Sequence, residues 1–153
     1  MAIKMNEVKT ELYQKCKDAL SIKRVTLEKR LQGVQNSLGS ESKSTAGDKH
    51  ETGRAMLQLE REKLGSQLKQ LENQENLLHK IQLKEDIQIC LGSCILTDNL
   101  NYYLSISLGE IKLAKESFYA ISAQSPIGQL LIGKKIGNQI SFNGKTSTIL
   151  QVY

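Results

Sequence analysis

The chain has 153 residues, of which 24% are charged, 39% hydrophobic and only 5% aromatic, with no Trp. This composition suits long polar helices joined to a small globular part and excludes one large, aromatic-rich core. The net charge of +5 is spread evenly, 15 basic against 11 acidic residues up to Leu83 and 6 against 5 beyond it. Neither part carries the dense Lys/Arg stripe of a DNA-binding module, although a large anionic partner stays open.

Three cysteines, Cys16, Cys90 and Cys94, are odd in number and lack C-x2-C spacing, so reduced thiols are expected rather than a disulfide framework or a zinc knuckle. The first residues, "MAIKMNEVKTELYQK", contain no apolar stretch of signal-peptide length, and no run could span a bilayer. A soluble, cytoplasmic protein without a membrane partner is the expectation.

From Val8 the apolar positions run Val8, Leu12, Cys16, Leu20, Leu27, Leu31, Val34, Leu38, in helical steps of three, four and seven. A second stripe, Leu57, Leu64, Leu68, Leu71, Leu78, keeps the same beat. Both are embedded in Lys, Glu, Gln and Asn, and no Pro precedes position 126. A helix of about 35 residues would be roughly 50 Å long. Each narrow stripe needs a partner, and the nearest is the other stripe. Between them lies "STAGDKHETGRA" (44–55), where Gly39, Gly47, Gly53 and several Ser and Thr weaken a continuous helix. An antiparallel helical hairpin over 1–83, with its tip near 44–53, is therefore expected. The alternative is one long helix dimerising with another chain as a coiled-coil adaptor.

Beyond Lys84 the pattern changes. "DIQICLGSCILTD", "NYYLSISLG" and "SFYAIS" are β-branched or aromatic-rich and alternate. "SPIGQLLIGKKIG" reads as a Pro-started short helix that ends in Gly. "NQISFNGKTSTILQVY" reads as a hairpin about Asn143-Gly144. Residues 84–153 should thus form a small α+β domain of four or five strands and one helix, with Tyr102, Tyr103, Phe118 and Tyr119 filling its core. With few aromatics and no Trp, a prolyl-isomerase pocket is not expected.

Two stretches share a resemblance. "SPIGQLLIGKKIGNQI" (125–140) resembles the C-terminal signature of the bacterial Gre transcript-cleavage factors, GreA/GreB-like, carried here by Ser125, Pro126, Gly128, Leu131, Gly133 and Lys134. Gly47-Asp48-Lys49-His50-Glu51 resembles the Gly-Asp-x-x-Glu at the tip of the Gre hairpin. The resemblance implies a long N-terminal hairpin followed by an FKBP-like domain. It also implies a monomeric transcription elongation factor that is not itself an enzyme but stimulates RNA polymerase to cleave backtracked RNA. Bacterial RNA polymerase and backtracked RNA would be its partners, DNA binding and a cytoplasmic location would go with them, and no cofactor would be bound alone. On the family's pattern, Asp48 and Glu51 would be the catalytic carboxylates and help hold an Mg²⁺ shared with the polymerase, with Lys49, His50 and Thr52 supporting the tip.

The tip departs from the family: Thr52-Gly53-Arg54 follows Glu51 where Asn, then Ala and an acidic residue are more usual, and Lys49 and His50 add positive character. That favours, as an alternative, a secondary-channel regulator without cleavage activity. Apart from any resemblance, Asp48-x-x-Glu51 is also a capping box, in which Asp48 accepts a backbone N–H and Glu51 reaches back. His50 can be a proton shuttle or simply a solvated loop residue.

Overall fold

The computed structural model describes the backbone of residues 2–42 and 48–153, and the side chains of 4–40 and 51–153. Two long helices come first, α1 (Ala2–Ser42) and α2 (Asp48–Lys80). They are followed by β1 (Cys94–Thr97), β2 (Asn101–Ser105), β3 (Gly109–Lys112), β4 (Ser117–Ser122), α3 (Pro126–Leu131), β5 (Gln139–Phe142) and β6 (Lys145–Val152). A long helical region followed by a small mixed-sheet domain is the architecture expected from the periodicities. The chain separates into two compact units, one of residues 18–75 and one of residues 1–17 with 76–153.

In the helical unit, Leu27, Leu38, Leu64 and Leu71 are buried, which is the leucine stripe meeting its counterpart within one chain. Leu31, Val34, Leu57 and Leu68 are half-buried on its margins. The pairing is antiparallel and its register is fixed by Arg24. Its guanidinium donates two hydrogen bonds to the Glu75 carboxylate, at 3.0 and 2.5 Å, and a third to Glu28, one turn along α1, at 3.0 Å. The two-pronged contact with Glu75 holds the arginine cation more firmly protonated than usual, with Glu28 adding to the effect.

The other unit is a six-stranded sheet in the order β3-β4-β2-β1-β6-β5. All neighbours are antiparallel except β2 and β4, which run parallel, Tyr102 opposite Tyr119 and Leu104 opposite Ile121. The sheet has one strand more than the sequence analysis allowed. Gly109-Glu110-Ile111-Lys112 has a single apolar side chain, Ile111, too little for an alternation signal, yet it pairs along β4 as an edge strand. By contrast, "DIQICLGS" supplies no strand. The Asn143-Gly144 turn forms as expected, with both residues at positive φ (52° and 79°), the geometry that suits the twist of β5 and β6.

Strand β2 shows how the core is built. Tyr102 and Leu104 face one side and join Ile95, Ile127, Leu131, Ile140 and Ile149 in the cluster under α3. Tyr103 and Ser105 face the other side, where the Ser105 hydroxyl lies 3.9 Å from the Cys16 thiol of α1. Cys94, Phe118 and Ala120 are buried as well. Both faces of β2 are therefore covered, and the first turns of α1 form part of the sheet domain's core. Lys9 takes part in that packing: it is 2% exposed, and its ammonium donates to the Lys84 carbonyl at 2.9 Å.

Candidate functional site at the hairpin tip and the C-terminal signature

The residues that would carry chemistry lie where the hairpin reverses. Residues 43–47, Gly47 among them, lie outside the described residues, as do the side chains of Asp48, Lys49 and His50. The backbone from Asp48 onward is helical, so positions 48 and 51 stand one turn apart on the same face of α2. Glu51 and Thr52 are exposed, while Gly53 and Arg54 are half-buried. Acidic residues at these positions are of the kind that the dipole of a helix N-terminus favours.

The Arg24–Glu75 pair also sets how far each helix runs toward the tip. From it, α1 continues about 27 Å to Ser42 and α2 about 40 Å back to Asp48, at ~1.5 Å per residue. No residue from Glu51 to Lys63 is buried.

Among the described residues no group of three or more His, Cys, Asp and Glu side chains could hold a metal ion. A site built by Asp48 and Glu51 would have at most two carboxylates. That number fits an Mg²⁺ also held by water, phosphate or another protein's ligands, but makes no stand-alone cage.

The C-terminal signature residues each have a structural task. Ser125 caps α3, with φ −70° and ψ 157°. Its hydroxyl oxygen accepts the Gly128 N–H at 3.1 Å and its O–H donates to the Ser122 carbonyl at 2.7 Å. Pro126 occupies the first helical turn, where a missing N–H costs nothing. Gly128 is required by space, since a Cβ there would lie 2.0 Å from the Ser122 carbonyl oxygen. Leu131 is fully buried. Gly133, at φ 81°, donates to the Ile89 carbonyl, and the Lys134 carbonyl accepts from Ile89, both at 2.9 Å. The signature thus locks α3 between β4 and the segment before β1.

Two elements of this arrangement were missed by reading the leucine stripes alone. Arg24 flanks the stripe between Leu20 and Leu27, the kind of position from which charged side chains cross to a facing helix. Lys9 sits at helical spacing between Met5 and Leu12, both buried, so the position was readable as internal although its residue type was not. Buried thiols accompany it. Burial pushes the Cys94 thiol up to about 12, and Cys16 is raised for the same reason, partly offset by Ser105. Tyr103 is likewise raised by burial, and its hydroxyl has no hydrogen-bond partner among the described residues.

No protein-family model matches the chain, and no curated protein does. Solved structures that resemble it include GreA factor homolog 1 (Gfh1) of Thermus thermophilus, 18% identical over 92% of this chain and 94% of that one, with a TM-score of 0.35. A structure of the transcription factor Gfh1 is also 18% identical, over 92% of each chain, with a TM-score of 0.35. Gfh1 of Thermus aquaticus is 18% identical over 92% of this chain and 93% of that one, with a TM-score of 0.33.

Proposed function

We propose that this protein is a Gre-like transcription factor that binds RNA polymerase, passes its helical hairpin into the secondary channel and stimulates cleavage of backtracked RNA. The observation that supports the reading is that positions 48 and 51 stand one turn apart on one face of α2, about 40 Å along it from the Arg24–Glu75 pair at ~1.5 Å per residue. A slender projection ending in two acidic residues is what a partner with a deep, narrow opening would admit. The signature around Ser125, Pro126 and Gly128, which resembles that of the Gre factors, supports the same family. Asp48 and Glu51 would complete the ligation of an Mg²⁺ anchored by the polymerase, and such an ion activates water and stabilises the leaving oxygen. The chain's own contribution is oxygen ligands and reach, and it works as a monomer.

The decisive experiment uses arrested elongation complexes. The wild-type chain should accelerate transcript cleavage, and the Asp48→Ala, Glu51→Ala double variant should bind equally well but lose the acceleration. If the two stimulate cleavage alike, the catalytic assignment fails. A second reading is favoured by Lys49, His50 and Arg54 around the carboxylates: the tip occupies the channel and regulates transcription without cleavage. It predicts that wild type competes with a cleavage factor for the polymerase while cutting nothing itself.

A further inference from the structure

The face formed by the segment before β1 and the loop after α3 exposes three aliphatic side chains, Ile87, Ile132 and Ile136, with Ile87 79% exposed. Two concavities meet there, of about 800 and 480 Å³. They share Glu85, Asp86, Ile87 and Lys135, so Ile87 stands between them, with Ile132 lining the first and Ile136 the second.

Two further features say what would fit. The backbone pairing that joins Ile89 to Gly133 and Lys134 stops at Ile89. Among the described residues no hydrogen bond engages the N–H or C=O groups of Glu85, Asp86, Ile87 and Gln88, which belong to no helix or strand. An apolar helix face laid over them would bury four residues' worth of unpaired polar groups, which is costly. An extended segment would satisfy them through its own main chain. The charge around the face is also uneven. Lys84, Lys134 and Lys135 outnumber the two carboxylates, Glu85 and Asp86, and their ammonium groups form no ion pair among the described residues.

We propose that this face receives an extended, acidic peptide segment of a partner protein, with aliphatic side chains seated on either side of Ile87 and carboxylates directed to Lys84, Lys134 and Lys135. The surface is separate from the tip, so failure of the cleavage experiment leaves it standing, and its own failure leaves the tip reading untouched.

The test titrates the full ¹⁵N-labelled chain with a short capped peptide of alternating Val and Glu, and with its Val/Lys counterpart. The Val/Glu peptide should shift the amides of residues 85–88, and the Val/Lys peptide should not. Ile87→Glu should weaken binding roughly tenfold or more, about 1.4 kcal/mol or above, as should the Lys134→Glu, Lys135→Glu pair. Melting curves should be unchanged for Ile87→Glu, and Ile87→Ala serves as a milder second variant. Equal shifts with both peptides would overturn the proposal, as would tighter binding of an acidic amphipathic helix. So would a dimer in sedimentation, or capture by anionic vesicles, that Ile87→Glu abolishes.

Discussion

Among the described glycines, Gly128 has the least room for a side chain. The turn before α3 brings the Ser122 carbonyl so close that a single added methyl would sit 2.0 Å from it. Gly128→Ala should therefore cost about 3 kcal/mol or more, at the upper end of overpacking effects, and calorimetry would show it as a marked fall in melting temperature. Ser125→Ala, which removes only the cap, should cost about 1 kcal/mol. Buried thiols set a second residue-level expectation. Cys94 is raised from 9 to about 12 in the folded chain, and Cys16 and Tyr103 are raised too. Above the unfolded thiol value of 9 the unfolded chain releases protons that the folded chain retains, so the unfolded state binds fewer and stability falls as pH rises. Melting temperatures should hold near neutrality and decline between pH 9 and 12, and a flat profile across that window would contradict the burial of these groups.

At the level of elements, the helices carry avoidable weakness. Gly33 and Gly65 lie inside α1 and α2, are exposed, and have nothing within 4 Å of where a Cβ would be. Replacing each with Ala should stabilise the hairpin by roughly 0.5–1 kcal/mol, measured by thermal or urea unfolding. Arg24 is a different case. Arg24→Glu should lower the melting temperature, and adding Glu75→Arg should recover most of the loss; a double variant no better than the single one would remove this pair as the register lock. Much of this level was legible in the sequence. Leucine steps of three, four and seven named the buried face of each helix, and Asn143-Gly144 named its turn, because both signals reside in local residue chemistry. β3 was not legible, since one isoleucine among Gly, Glu and Lys has no periodicity and only β4 makes it a strand. The parallel pairing of β2 with β4 was hidden for a related reason: strand order is decided by distant contacts, not by either strand's own residues.

For the whole molecule, the candidate site is a pattern of residue type and spacing, Gly47-Asp48-x-x-Glu51, of which Gly47 and the Asp48 side chain lie outside the described residues, whereas the Arg24–Glu75 pair that pairs the two helices lies far along both from it. The covering of β2 by α1 has a further consequence, for the order of folding. The Cys16–Ser105 and Lys9–Lys84 contacts join points separated by 89 and 75 positions. The α1 segment must therefore wait for segments made after it before it can be buried, and closing so wide a loop slows folding more than it weakens the finished structure. Until β2 arrives, the face bearing Met5, Leu12 and Cys16 stays open to water. Refolding should accordingly show the helices forming early and burial of Tyr103 late, and a chain released before position 105 should be prey for chaperones and proteases.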